Sequence, residues 1–176
     1  MIAAASLVLA LTMGAVGPVD VTSALPLRRA VCWTAPVIAP VADPFREPPC
    51  RWCPGNRGIE YGVVPGQTVV AAVAGTVSFA GVVAGQAFVT VDIGGGLRVT
   101  YGRLGNVGVG AGQQVAAGSV IGTTSETFIL TLRDGDRYLD PGPLIGVRRA
   151  RPHLIPTDGS PRRAAPPVRI TCSAPV

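Results

Sequence analysis

The chain contains no lysine: all 15 of its basic residues are arginine. A lipoyl- or biotinyl-carrier domain needs an acceptor lysine, so that class of small barrel is excluded. Histidine is almost missing too, since His153 is the only one. Histidine is the commonest general acid–base group and a leading zinc ligand, so chemistry that needs two or three imidazoles cannot be assembled. There is no Gly-x-Ser-x-Gly elbow, and a lone histidine in the C-terminal region is a poor partner for a serine or cysteine nucleophile. Closely spaced carboxylates occur only as Asp134-Gly135-Asp136, which reads as a hairpin turn and falls short of a glycosidase pair. Aromatic residues are 5% of the chain and charged residues 14%, and no amphipathic helix pattern of useful length runs between residues 60 and 146.

Glycine (23) and proline (17) are abundant instead, which favours many short strands joined by tight turns. Alternation of period two recurs. Val77 and Phe79 alternate with Thr76 and Ser78; Val89, Val91 and Ile93 alternate with Thr90 and Asp92; Leu97, Val99 and Tyr101 alternate with Arg98 and Thr100. Between the last two runs lies Gly94-Gly95-Gly96, a hairpin connection that requires positive φ and precedes no helix, so it is not a phosphate loop. A weak internal repeat relates Gly66-Gln67-Thr68-Val69-Val70-Ala71 to Gly112-Gln113-Gln114-Val115-Ala116-Ala117 and suggests two similar hairpin units packed face to face. The expected fold is all-β.

Residues 2–16 are apolar but for Ser6, Thr12 and Gly14, too short a run for a comfortable transmembrane helix. Small residues ending Thr22-Ser23-Ala24 follow it, the pattern of a secretory signal cleaved near Ala24. The expected organisation is a signal peptide over 1–24, a Pro-rich extended segment over 25–49, a compact β core over 50–146, and an Arg- and Pro-rich tail over 147–176. Export implies an oxidising compartment and no membrane span once the signal is removed. The four cysteines then read as disulfides. Cys50 and Cys53 enclose two residues, Cys32 and Cys172 are remote, and three pairings are open; Cys50–Cys53 would close a tight ring and Cys32–Cys172 would tie the tails. The Pro48-Pro49 approach gives Cys50-x-x-Cys53 no helix start, which disfavours a redox pair. The net charge of +5 is dispersed apart from Arg148, Arg149, Arg151, Arg162 and Arg163. No aromatic residue is interleaved among those five, so nucleic acid is not expected as a partner. Val168–Cys172 is the one stretch of the tail expected to form an edge strand.

The order of several landmarks carries more. Asn56-Arg57-Gly58-Ile59-Glu60-Tyr61-Gly62 is followed by Pro65-Gly66-Gln67-Thr68-Val69-Val70-Ala71-Ala72, Gly75-Thr76-Val77-Ser78-Phe79-Ala80-Gly81, Asp92 to Leu97, Tyr101-Gly102-Arg103-Leu104 and Tyr138-Leu139-Asp140-Pro141. This order resembles the β-sheet core of the lysostaphin/LytM-type zinc metallopeptidases, which cut peptide cross-links in bacterial cell walls. The resemblance implies an antiparallel sandwich or hybrid-barrel core. It also implies that the zinc ligands of the family, a His, an Asp four residues on and the second His of a His-x-His strand, fall on Asn56, Glu60 and Ile129. Its two further catalytic histidines fall on Arg103 and Thr127. Only Glu60 offers a good oxygen, Asn56 a weak neutral one and Ile129 none, so a three-ligand hydrolytic zinc site does not follow.

The resemblance therefore implies the fold without the activity: no catalytic residue, metal or cofactor is expected. The function expected is that of an exported, wall-associated peptidase-like module that binds or regulates, with a peptidoglycan peptide, a wall hydrolase or another envelope protein as partner. Degenerate relatives that act through protein contact, for example by activating wall amidases, are the precedent. An active peptidase with a non-standard site and a purely structural envelope protein are the alternatives. Glu60, Tyr101, Arg103 and Thr127 are the expected groove residues, with Glu60 and Arg103 forming an ion pair where the family holds its metal, or Arg103 taking a ligand carboxylate bidentately. Thr127 and Ile129 alternate with Phe128 and Leu130, so one pair should face the groove and the other the core.

Overall fold

The computed structural model describes residues 32–50, 52–149, 156–157, 160, 164 and 169–173. The signal-like segment, His153, Arg151, Arg162 and Arg163 lie outside the described residues, and so does Val168 at the start of the expected edge strand.

Eleven short strands and one 3-10 turn make up the described chain: β1 Val41–Asp43, β2 Ile59–Tyr61, β3 Thr68–Val70, β4 Gly75–Val83, β5 Gln86–Gly94, β6 Leu97–Val107, β7 Gln114–Val115, β8 Val120–Asp134, β9 Arg137–Leu139, the turn Gly142–Leu144, β10 Val147–Arg149 and β11 Arg169–Thr171. The architecture is all-β and antiparallel, as expected. Nine strands form one sheet in the order β1-β2-β8-β6-β5-β4-β7, and β3 and β9 also pair with β8. The 15-residue β8 is the spine: β6 runs along one side of it, while β3, β2 and β9 share the other.

Alternation along these strands sorts side chains as the sequence suggests. Val77, Val89, Val91, Val99, Tyr101, Phe128, Leu130 and Leu132 are buried together, and their apolar burial is the main stabilising term. The turns obey the residues that make them. Gly94, Gly95 and Gly96 all take positive φ between β5 and β6. The internal repeat is real at the level of turns: Gln67 Oε1 accepts the Val64 N–H and Gln113 Oε1 accepts the Gly110 N–H, each at 3.2 Å, beside Gly66 and Gly112 in left-handed conformations. Backbone hydrogen bonds join the two units, from Ala71 N–H to the Ser119 carbonyl and from Gly118 N–H to the Ala71 carbonyl, each at 2.8 Å. β3 joins β8 and β7 joins β4 within one connected sheet.

The Pro-rich N-terminal segment does more than lie on the core. Trp33 and Val37 are buried within it, the Thr34 N–H donates to the Ala72 carbonyl (2.8 Å), and the Val70 N–H donates to the Pro36 carbonyl (2.9 Å). The packing therefore does not divide at residue 50. Segments of low periodicity hide such contacts, because irregular backbone can bury isolated side chains without a pattern. Cys32–Cys172 and Cys50–Cys53 are both disulfides, and no cysteine is free. The first fastens β11, paired with β10, next to the N-terminal segment.

Candidate functional site

One register row crosses the sheet through the region of interest. Phe88 on β5 pairs with Gly102 on β6, Gly102 with Ile129 on β8, Ile129 with Glu60 on β2, and Glu60 with Asp43 on β1. Directly opposed residues of antiparallel strands share a face, so the side chains of Phe88, Ile129 and Glu60 lie side by side away from the core. Gly102 must lack a side chain here: a Cβ would lie 2.7 Å from the Phe88 ring and 2.8 Å from Ile129 Cγ2. The floor between Glu60 and β5 is therefore apolar.

Arg103 joins this face through a break in its strand. Leu97, Val99 and Tyr101 point to the core, and a regular strand would send Arg103 the same way. Arg103 instead takes φ of 60°, and the register with β8 jumps from Gly102–Ile129 to Leu104–Thr124. The Ser125 hydroxyl donates to the Arg103 carbonyl at 2.8 Å and closes the bulge. A non-glycine residue in the left-handed region costs on the order of 1–3 kcal/mol and is held only where its surroundings enforce it. The result is an ion pair: Arg103 Nη1 lies 3.1 Å from Glu60 Oε1, with both side chains about 30% exposed, 30% and 31% respectively.

The other expected residues sort as follows. Thr127 is exposed and shares the outer face of β8 with Ile129, while Phe128 and Leu130 are buried, in keeping with the alternation. Asn56 is buried and committed elsewhere. Its Nδ2 donates to the carbonyls of Asp43 (3.2 Å) and Pro44 (3.1 Å), and its Oδ1 accepts the Gly58 N–H (3.3 Å), so the amide pins the N-terminal segment to β2. Asp43, next to Glu60 in the row, is also engaged. Its hydrogen bond to Arg46 holds its carboxyl below the usual carboxylate range.

Tyr101 is a correction. It was expected in the groove but has no exposed surface, and its hydroxyl accepts the Ala72 N–H at 2.7 Å inside the core. The expectation placed Tyr101 and Arg103 together because it could not see the bulge that separates their faces. Phe88 and Ser125, which shape the site, were missed. The parity of Phe88 with Thr90, opposite to Val89 and Val91, was the available signal for the first; nothing local marks the second.

The donors present do not fit a zinc ion. Of the three ligand positions that the resemblance assigns, Glu60 is paired with Arg103, Asn56 is hydrogen-bonded to backbone, and Ile129 has no donor atom. A guanidinium within reach of the carboxylate also places a positive charge where a dication would have to sit, an arrangement that opposes metal binding. Among the described residues no group of three or more His, Cys, Asp and Glu side chains is placed to hold a metal.

Residues 54–133 match the sequence model of peptidase family M23. This domain belongs to that family. The chain is 38% identical over 109 aligned residues to the uncharacterized protein Rv2891 of Mycobacterium tuberculosis, an alignment covering 52% of this chain and 43% of that protein, so the chain spans less than half of that relative's length. Solved structures share its fold. Csd3 of Helicobacter pylori superposes with a TM-score of 0.58 at 23% identity, over 70% of this chain and 37% of that one. A putative M23 peptidase of Pseudomonas aeruginosa gives 0.54 at 26% identity, over 63% and 48%. A chain of the SpoIIQ–SpoIIIAH pore-forming complex gives 0.56 at 21% identity, over 66% and 92%.

Proposed function

We propose that this M23 domain is a non-catalytic, extracytoplasmic module that recognises peptide or protein in the cell envelope through the face that its relatives use for chemistry. The single observation that carries this reading is the Arg103–Glu60 ion pair, set beside the donorless Ile129. Such a face has no means of activating water by a metal, but it retains a floor of paired strands and an arginine at its edge, a platform suited to recognition. An arginine favours a carboxylate over the neutral peptide carbonyl that a metal would polarise. A chain of the same fold stands in the SpoIIQ–SpoIIIAH pore-forming complex, which supports a protein partner as one kind of ligand to seek. Export rests on the signal-like residues 1–24 and the two disulfides.

The test is titration of soluble peptidoglycan stem-peptide fragments against wild type and Arg103→Ala. Loss of one charge-assisted contact should cost on the order of 1.5–3 kcal/mol, a tenfold or larger drop in affinity, and added salt should weaken wild-type binding. If Arg103→Ala lowers thermal stability and leaves binding unchanged, Glu60 satisfies the arginine internally and this face is not the recognition site. Release of cleaved peptide by the wild type would overturn the non-catalytic reading itself.

A further inference from the structure

A second concavity lies on the same outer face of β8, four residues beyond Ile129 and so roughly 13 Å along the strand. Its volume is about 690 Å³, and Trp52, Arg57, Arg133, Arg137 and Tyr138 line it together with Glu47 and Asp136. It lies away from the Arg103–Glu60 pair and contains none of the family's ligand positions.

Two arginines converge on one ring there. The guanidinium carbons of Arg133 and Arg57 lie 5.3 Å and 6.0 Å from the centre of the Tyr138 ring. Arg133 donates from Nη2 to Asp136 at 3.1 Å, yet its Nε is buried with no hydrogen-bond partner, so this guanidinium is short of acceptors. Arg137 meets Glu47 only at 3.5 Å. Over the concavity stands Trp52, 87% exposed, in the tight ring that the Cys50–Cys53 disulfide closes. A large indole held in water on a constrained loop, beside arginines and a tyrosine, has the composition of a binding hot spot.

We propose that this concavity binds an acidic peptide segment, whose carboxylates meet Arg133 and Arg57 while an apolar side chain packs under Trp52. The charge balance favours carboxylates over a nucleic-acid backbone. Three arginines are offset by two carboxylates, which leaves a weak field for a string of phosphates but enough for one or two discrete anions. Arginine also matches a carboxylate well, and the Arg133 side chain, 34% exposed, can offer its outer Nη groups to one.

The experiment uses calorimetry and indole fluorescence on the full chain with three probes: the peptide Ala-Glu-Ala-Glu-Ala, its Ala-Gln-Ala-Gln-Ala counterpart, and a single-stranded oligonucleotide. Trp33 is buried, so a change in emission reports chiefly on Trp52. The acidic peptide is expected to bind at least tenfold more tightly than the neutral one. Arg133→Gln and Arg57→Gln should each lower its affinity at least fivefold, and both should diminish the Trp52 emission change, which reports on this concavity and not on the Arg103–Glu60 face. Arg57→Gln guards against a folding defect in Arg133→Gln, since Arg57 precedes β2 and Arg133 lies within β8. Equal affinity for the two peptides, tighter binding of the oligonucleotide, no binding of the acidic peptide, or insensitivity to Arg57→Gln would each overturn the proposal.

Discussion

Arg103 reaches over the strand that carries Ile129 and places Nη1 3.1 Å from Oε1 of Glu60. The pair joins β6 to β2 across β8. Both side chains keep about 30% of their surface, 30% for Arg103 and 31% for Glu60, so solvent screens the attraction. A double-mutant cycle with Arg103→Ala and Glu60→Ala, read by denaturant unfolding, should give a coupling of about 1 kcal/mol or less that shrinks in high salt. Coupling of 3 kcal/mol or more would mean that the pair is a structural strut and not a recognition surface.

Tyr101 should behave as core. Its hydroxyl is the acceptor for the buried Ala72 N–H, so Tyr101→Phe leaves that donor unsatisfied and should cost about 1–3 kcal/mol of stability. Binding at the Arg103–Glu60 face should be unchanged once the folded protein is recovered. A variant as stable as wild type, but defective in ligand binding, would return Tyr101 to the groove.

Most of the fold was legible, because alternation exposes strands wherever one face is buried. Val89, Val91 and Val99 fell to the core for that reason, and the glycine runs marked their turns by demanding positive φ. The site was legible through the resemblance, as missing donors at Asn56 and Ile129 and as one of two readings of Arg103, the ion pair with Glu60 that the structure forms. Its geometry depends on Arg103 leaving the strand's parity, and a left-handed arginine carries no local signature. The role of Asn56 was hidden in the same way: its partners are carbonyls of Asp43 and Pro44, supplied by a segment without periodicity. The second concavity escaped notice because Trp52, Arg57, Arg133 and Tyr138 are brought together only by the pairing of β2 and β9 on one side of β8.

Alkaline pH should destabilise the fold through its tyrosines. Burial pushes the Tyr61 phenol from 10.0 up to about 12, and that of Tyr101 is raised as well, by burial against its backbone hydrogen bonds. The unfolded chain thus releases these protons first. The stabilisation is fully present below pH 10, falls as pH rises through 12, and is worth on the order of 2–3 kcal/mol for Tyr61. Denaturant midpoints measured between pH 9 and 12 should fall more steeply for wild type than for Tyr61→Phe. Parallel curves would show that Tyr61 ionises freely in the folded state.

The account rests on a sheet face whose residues cannot hold the family's metal, and metal content tests it most directly. The protein, expressed with zinc in the medium and purified without chelator, should contain well under 0.1 zinc per chain by elemental analysis, because a half-built donor set loses its ion during purification. One tightly held zinc per chain would contradict the account and restore hydrolysis as the function to pursue.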